Sequence, residues 1–462
     1  MATAQYLKMT QTPPHRLVLQ LCIPTIISML VTHIYNLVDT YFVSQLGRSA
    51  SGAIGIVFSL MAMIQAIGFM LGHGGSTIVV QLLGRQEPEH ASRFASTAFF
   101  LALAGGTLLS VLGLLFLHPL MRLLGSTETI LPYACDYGIY ILISAPVMAA
   151  SCVLNNLLRY EGRAVLAMVG LGTGAVLNMI GTPLLMFPFR MGVGGAGLST
   201  AISQCISFLI LISMFLRGRT QCTLSVKRIS RDPKEVLHIL KNGMPSLARQ
   251  GLSSVSSMVL NHQAGIYGDA AVAAISIVGR ICNFITSLAI GIGQGMQPVL
   301  GFNYGARKYS RVRQAFRFTV LLSEAALACL ALCCFASADR ILGWFGKDAQ
   351  VIQIAFWMFR VQSAALLVQP FVICTNMLFQ SLGISGKATL LSSLRSGLLL
   401  IPLVYGLTAL LGLPGLQIAQ ALSDAAAFLI VLPLMIGFFA KLPRADAELE
   451  PVRKVDDPNE PK

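Results

Sequence analysis

Long apolar runs dominate this chain, and short polar connections separate them. Residues 17–42 and 94–117 are two such runs, and each exceeds the roughly 20 residues that a helix needs to cross the hydrocarbon core of a bilayer. Similar runs recur along nearly the whole chain, which the core of a soluble domain does not require. The pattern therefore predicts an all-α integral membrane protein.

Twelve spans are predicted, and the basic residues between them indicate a topology. The spans cover residues 17–42, 53–83, 94–118, 131–157, 164–187, 194–216, 236–266, 270–301, 315–337, 351–379, 387–411 and 415–440. Predicted inner connections are rich in Arg and Lys, as in residues 217–241 and near Arg85 and Arg159, whereas the outer ones hold few, such as Arg340 and Lys347. Because basic loops stay on the cytoplasmic side, both termini are predicted to be cytoplasmic.

The chain repeats itself at a spacing of about 221 residues. Three pairs share this spacing: Pro24 with Pro245, Gly84 with Gly305, and Gly162 with Gly383. Six spans return the chain to its starting side, so the pattern predicts two parallel, pseudo-symmetric lobes. The predicted segments are a cytoplasmic N-terminus (1–16), an N-lobe (17–216), a basic linker (217–235), a C-lobe (236–440) and a cytoplasmic, disordered tail (441–462).

Composition narrows the class of protein. Only 11% of the residues are charged and the mean hydropathy is +0.72, whereas a soluble domain has roughly a quarter charged residues. The net charge of +14 lies mainly in the connections, so it fits membrane topology and not nucleic-acid binding. The cysteines lack metal-ligand spacing, and no phosphate-binding or dinucleotide motif occurs. We therefore predict no enzyme and no cofactor, but a transporter driven by an ion gradient; the two-fold repeat disfavours a channel or a receptor.

Asp39 is the leading candidate for ion coupling, because it is the one carboxylate of the first half that lies well inside a predicted span. A carboxylate in a membrane is costly unless it is protonated or paired, so it readily exchanges a proton or Na⁺. Tyr35 and Asn36 lie on the same helical face. The alternative is an Asp that caps the loop at the end of the helix. Pro24 lacks an N–H group and is predicted to kink the same span.

Charged residues inside the predicted spans of the C-lobe form a second set. The set comprises Arg249, Arg280, Arg360 and Arg395, with Glu324 and Asp424 as the acidic partners. Four cations against two anions leave an excess of two positive charges. Intramembrane arginines face a cavity or a partner. Either they form two ion pairs and two sets of hydrogen bonds to carbonyl groups, or they line an electropositive cavity for anionic or zwitterionic substrates.

Three segments carry a family resemblance. They are IYNLVDTYFV (34–43), GAGLST (195–200) and QPVLGFNYGA (297–306). Over roughly residues 15–440 the chain resembles the multidrug and toxic compound extrusion (MATE) family, in its bacterial multidrug-exporter branch. The resemblance implies a V-shaped, two-lobed exporter in the bacterial inner membrane, coupled to H⁺ or Na⁺ entry and working on small amphiphilic organic compounds. We expect a single chain to be sufficient for function.

The resemblance also implies a polar cluster around Asp39. By motif, Asn178 and Thr200 belong to it, and such oxygen ligands suit a hard cation. This chain has Thr182 where the family usually places a second Asp, and the missing negative charge favours H⁺ over Na⁺. The chain also lacks the acidic residues that the cation-exporting branch carries on spans seven and ten. Two alternatives stay open: an exporter of an anionic or zwitterionic metabolite, and a flippase for lipid-linked precursors.

Overall fold

The N-lobe consists of six long helices and two short ones in the computed structural model, which describes residues 2–343 and 349–446. In chain order they are α1 (Ala2–Gln11), α2 (Pro14–Ser44), α3 (Arg48–Gly84), α4 (Pro88–Leu115), α5 (Leu117–Leu123), α6 (Leu131–Tyr160), α7 (Ala164–Met186) and α8 (Gly192–Leu216). Prolines at the starts of α2 and α4 suit the first helical turn, where a backbone N–H group has no partner within the helix. A linker with one 3₁₀ turn (Val226–Arg228) follows.

The C-lobe repeats this arrangement with two interrupted helices. Its helices are α9 (Pro233–Gly265), α10 (Asp269–Gly305), α11 (Tyr309–Ala336), α12 (Ala338–Gly343), α13 (Ala349–Ala365), α14 (Gln369–Ser381), α15 (Ser385–Ser393), α16 (Leu400–Leu411) and α17 (Leu413–Lys441). A bend of 52° separates α13 from α14, and a π-helical turn (Leu394–Leu398) joins α15 to α16.

Helix boundaries confirm the predicted pseudo-symmetry. The starts of α3, α4, α7 and α8 recur 221 residues later as the starts of α10, α11, α15 and α17. The hydrogen bond from Asn155 Nδ2 to the carbonyl oxygen of Ala167 (3.1 Å) recurs as one from Asn376 Nδ2 to that of Ala388 (2.7 Å). The repeat therefore extends from helix lengths to individual contacts.

Among the described residues, ten helical stretches are long and apolar enough to cross a membrane, and α13 with α14 would form an eleventh span. The remaining long helix is α9, which occupies the place in the C-lobe that α2 has in the N-lobe. It carries Arg249 and a polar face, so its apolar content is low. With α9 the predicted set of twelve is complete.

The two lobes meet where α3 and α10 end. A Cβ atom added at Gly84 would lie 2.2 Å from the carbonyl oxygen of Phe302, and one added at Gly305 would lie 2.2 Å from that of Gln81. These two contacts are related by the 221-residue repeat. Small residues allow such close packing of helix backbones in membranes. The paired glycines that marked the repeat in the sequence therefore form one of the close backbone contacts between the lobes.

Both ends of the described chain pack against this same end of the molecule. In α1, Gln5 Nε2 donates to the carbonyl oxygen of Glu161 (2.9 Å), while Asn303 Nδ2 of the C-lobe donates to that of Met9 (3.2 Å). Asp446 accepts a hydrogen bond from the backbone N–H of Ser310 (2.8 Å). The rest of the predicted disordered tail, from residue 447, lies outside the described residues, as does Lys347.

The predicted topology has a direct test. We expect green fluorescent protein fused after Lys441 to fluoresce and alkaline phosphatase fused there to be inactive. The reason is that an even number of spans and the basic connections keep both termini in the cytoplasm. The measurement compares green fluorescent protein with alkaline phosphatase at this one position, and a fusion of each after Gly125, on the predicted outer side, serves as the control. Phosphatase activity after Lys441 would contradict the twelve-span topology.

Candidate functional site

Asp39 lies in the N-lobe, where α2 packs against α7 and the side chain of Tyr137 reaches it from α6, and only 2% of its surface is exposed. Each carboxylate oxygen accepts one hydrogen bond from a hydroxyl group. Tyr137 Oη of α6 donates to Oδ2 over 2.6 Å, and Thr182 Oγ1 of α7 donates to Oδ1 over 3.0 Å. Three helices therefore meet at this one carboxylate.

A second group of polar side chains extends the cluster toward α8. Asn178 Nδ2 donates to Thr200 Oγ1 over 2.9 Å, and this hydroxyl lies 3.5 Å from Tyr137 Oη. Both Asn178 and Thr200 are buried. The structure thus brings Asp39, Thr182, Asn178 and Thr200 together, as the family resemblance implies, with Tyr137 between the two halves of the cluster.

The two predicted neighbours of Asp39 on its own helix form no hydrogen bond with its carboxylate. Tyr35 is buried and lines a cavity of about 140 Å³ in the N-lobe, together with Asn178 and Thr200. The Asn36 side chain makes no hydrogen bond with any described residue. Helical spacing places both residues on the side of Asp39, but the side chains that reach its carboxylate come from α6 and α7.

Tyr137 is the site residue that the sequence reasoning missed. It is fully buried, and its hydroxyl makes the shortest contact with Asp39. A tyrosine in the middle of an apolar span is itself a signal, because a buried hydroxyl group requires a hydrogen-bond partner. Applied to α6, that rule would have looked for a partner of Tyr137 and made Asp39, the carboxylate inside a predicted span of the same lobe, a candidate.

The surroundings of Asp39 leave its negative charge without a fixed countercharge. Among the described residues, no Lys, Arg or His forms an ion pair with it. Hydroxyl donors lower the cost of an ionised carboxylate in the membrane but do not neutralise it. A proton would do so, and the carboxylate, hydroxyl and amide oxygens of the cluster are also ligands of the kind that Na⁺ accepts.

Pro24 lies inside α2, which continues as one helix from Pro14 to Ser44. Ser28 Oγ donates to the carbonyl oxygen of Pro24 over 2.9 Å, and Thr25 Oγ1 donates to that of Leu21 over 2.7 Å. Hydroxyl groups thus bond carbonyls around the position where proline removes a backbone donor. A functional kink at Pro24 stays a prediction.

A polar cavity of about 400 Å³ occupies the C-lobe between α9, α10, α16 and α17. Arg249, Arg280 and Arg395 line it, together with Asp424. Arg395 Nε donates to Asp424 Oδ1 over 2.9 Å, and Asp424 Oδ2 accepts further hydrogen bonds from Gln369 (2.6 Å) and Gln362 (3.2 Å). One ion pair is therefore present, and its carboxylate is fully satisfied.

Arg360 and Glu324 are not among the residues that line this cavity. The guanidinium group of Arg360 lies 4.9 Å from the ring centre of Phe335 and 4.5 Å from that of Phe356, since α13 packs against α11 there. Glu324 lies beside the backbone of Phe371 at the start of α14. Of the four arginines predicted for a cavity, the structure brings together the three of α9, α10 and the π-helical turn.

Arg159 is buried between the lobes, although the sequence placed it in an inner connection. Its guanidinium group donates to Gln294 of α10 and to Asn156, and lies 3.3 Å from His73 Nε2. His73 Nδ1 in turn lies 3.1 Å from Ser246 Oγ of α9. The number of basic residues in a connection does not reveal that one of them is buried at the end of a helix. This cluster links the two lobes by side chains, in addition to the glycine contacts.

The fold, with a cavity in each lobe, is that of a two-lobed, multi-pass membrane transporter. A model of the MatE family matches residues 24–184 and 245–406, which are two copies that begin at Pro24 and Pro245. Since these segments make up most of the chain, the protein belongs to the MatE family.

Individual relatives agree with this assignment over nearly their whole length. The multidrug export protein MepA of Staphylococcus saprophyticus is 28% identical over 88% of this chain and 91% of its own, and that of Staphylococcus aureus N315 is 26% identical over 91% and 94%. A MOP superfamily transporter from Pyrococcus furiosus shares the fold with a TM-score of 0.89 at 24% identity, covering 95% of this chain and 99% of its own. The predicted family and the twelve-helix fold are confirmed.

Proposed function

We propose that this protein exports amphiphilic organic compounds from the cytoplasm in exchange for protons, which Asp39 binds and releases. The observation that carries the proposal is a buried carboxylate held by two hydroxyl donors and no cation among the described residues. The relatives named as multidrug export proteins support the choice of cargo.

Protonation of Asp39 would change the hydrogen bonds that join three helices. The ionised carboxylate accepts from both Tyr137 and Thr182. A protonated carboxyl group has a donor on one oxygen, which then accepts more weakly, so the hydrogen bond from one of the two hydroxyls is weakened. Because Tyr137 lies on α6 and Thr182 on α7, proton binding alters how α2 packs within the N-lobe. This links proton uptake to a change of conformation.

The described conformation fits the outward-facing part of an export cycle. The lobes touch at Gly84 and Gly305, on the side that the basic connections mark as cytoplasmic. Arg159 and α1 add contacts between the lobes there. Loading of a compound from the cytoplasm would require this contact to open while the opposite side closes, which is alternating access between two repeats. Both cavities are lined by one chain, so we propose that a monomer suffices.

Sodium is the other candidate ion, and the site argues for the proton. Asp39 is the one carboxylate of the cluster, and Thr182 occupies the position where a second negative charge would strengthen cation binding. We expect efflux of a fluorescent dye from energised right-side-out membrane vesicles to stop when the proton gradient is collapsed. Removal of the Na⁺ gradient alone should leave the rate unchanged. Efflux that survives the first treatment and stops with the second would assign coupling to Na⁺.

Replacement of Thr182 tests the same assignment from the protein side. We expect Thr182→Asp to make efflux depend on Na⁺, because a second carboxylate beside Asp39 raises the affinity of the cluster for a metal cation. Thr182→Ser, which keeps the hydroxyl donor, is the matched control and should retain proton-driven efflux. The measurement is the initial efflux rate against Na⁺ concentration at a fixed proton gradient. Ion dependence that is identical in Thr182→Asp and wild type would contradict the role given to this position.

A further inference from the structure

We propose that the C-lobe cavity is a binding site for organic anions, whose charged group is held by the guanidinium groups of Arg249 and Arg280. The inference rests on the proposed export function for its consequence in transport, and it adds a substrate class to that function. Binding itself is a property of the cavity and is measurable without transport.

The cavity has the size and position of a small-molecule site. Its volume of about 400 Å³ lies within the usual range for ligand pockets, and it is bounded by helices of one lobe. On α9 its wall includes Ser253, Ser257 and Asn261, which recur at helical spacing and give this helix its polar face. A polar face on a membrane helix is stable only where it meets water, protein or a polar ligand.

The charge balance of the cavity points to an anion. Three arginines and one aspartate line it, so the lining carries two excess positive charges. Asp424 is its single carboxylate among the lining residues, and this group is bound by Arg395, Gln362 and Gln369. The described lining residues therefore leave no unpaired carboxylate to hold a cation.

The two remaining arginines are free to contact a ligand. Neither Arg249 nor Arg280 forms a hydrogen bond or an ion pair with any residue that the structure describes. Arg249 is half-buried and Arg280 is exposed to the cavity. Guanidinium groups bind carboxylates, sulfonates and phosphates in a bidentate manner, and such contacts strengthen where water is scarce. Two unpaired guanidinium groups on neighbouring helices therefore fit one or two negative charges.

The third arginine is fixed by an irregular turn of its helix. Arg395 lies in the π-helical turn Leu394–Leu398, and Ser256 Oγ of α9 donates to the carbonyl oxygen of Ser396 in that turn. π-Helical turns occur frequently at functional sites, because the wider turn re-aims a side chain. Here the turn directs Arg395 to Asp424, which removes one positive charge and leaves the ligand-facing role to Arg249 and Arg280.

The test is equilibrium binding of fluorescein, an organic dianion in mildly alkaline buffer, to the purified full-length protein in a neutral detergent. Fluorescence anisotropy reports binding. We expect Arg280→Gln and Arg249→Gln each to weaken it by about tenfold or more, since each loses a charge-assisted contact. Arg280→Glu, which cancels the excess charge, should abolish it. Arg360→Gln removes the same charge outside the cavity and should bind as the wild type does.

Two further arms separate the outcomes. Asp39→Asn should keep fluorescein binding while it loses efflux, so a failure of the coupling proposal would not be mistaken for a failure of this one. Ethidium, an organic cation, should bind Arg280→Gln as well as or better than wild type. Melting temperatures identify any variant that loses binding through unfolding, and the exposed Arg280 is the variant least subject to that effect.

Equal fluorescein affinity in wild type and Arg280→Glu would overturn the anion site. A loss of affinity in Arg360→Gln as large as that in Arg280→Gln would overturn it too. Displacement of fluorescein by phosphatidylglycerol but not by benzenesulfonate would assign the guanidinium pair to a lipid headgroup and would overturn its assignment to exported anions. Displacement by benzenesulfonate in neutral detergent is the expected result.

Discussion

Asp39→Asn is expected to reduce gradient-driven efflux to the level of vesicles without the transporter. Asn has the shape of Asp and still accepts a hydrogen bond from Tyr137 or Thr182, but its side chain cannot bind and release a proton. The fold should therefore survive while the coupling is lost. The measurement is initial dye efflux from energised vesicles, normalised to the amount of protein in the membrane and paired with a melting temperature in detergent.

Asp136→Asn is the matched control for this variant. It makes the same substitution on the neighbouring residue of Tyr137, but Asp136 is exposed at the outer end of α6 and takes no part in the cluster. We expect its efflux to equal that of the wild type. Wild-type efflux by Asp39→Asn would eliminate Asp39 as the coupling site, whatever its hydrogen bonds.

Arg395→Gln is expected to cause the largest loss of stability among single replacements of the C-lobe arginines. Removing Arg395 leaves the buried Asp424 with two amide donors and no countercharge. Loss of one partner from a buried ion pair costs roughly 3–5 kcal/mol. Arg395 is partly exposed and two glutamines still donate to Asp424, so we expect a loss of about 3 kcal/mol. The melting temperature in detergent and the yield of folded protein in the membrane measure the effect.

A second substitution separates the ion pair from the arginine itself. In Arg395→Gln/Asp424→Asn no charge remains buried, so most of the lost stability should return. Arg249→Gln removes a cation that has no acidic partner among the described residues, and it should leave the melting temperature close to that of the wild type. Equal destabilisation by Arg249→Gln and Arg395→Gln would show that Asp424 does not depend on Arg395 in particular.

The two predictions contrast two ways of keeping a carboxylate inside a membrane protein. Asp424 is neutralised by a fixed arginine, so it is a structural group that strengthens the C-lobe. The hydrogen-bond partners of Asp39 among the described residues are hydroxyl groups, so we propose that an exchangeable ion balances its charge. The two pseudo-symmetric lobes therefore carry different sites. The N-lobe contains the proposed coupling site, and the C-lobe contains the electropositive cavity.

The sequence by itself determined the fold to a large extent, because membrane insertion is a strong local constraint. A helix must satisfy its backbone within its own span, so runs of apolar residues and the basic loops between them predict the number and order of helices directly. The spacing of Pro24 and Pro245, and of Gly84 and Gly305, predicted the repeat that the helix boundaries and the family model confirm. The same reasoning predicts Asp39 as the coupling residue, since a carboxylate within an apolar span is costly unless it is protonated or paired.

Tertiary structure alone decided which polar side chains meet. Asn36 follows the helical spacing of Asp39, yet Tyr137, 98 residues away in the chain, donates the short hydrogen bond. Four arginines with two acidic residues allowed several pairings, and packing selected Arg395 with Asp424, placed Arg360 on two phenylalanine rings and left Arg249 and Arg280 facing a cavity. Pairings of this kind depend on how the helices are rotated and how they cross. Contacts between distant segments set that geometry, and the periodicity of one segment does not predict it.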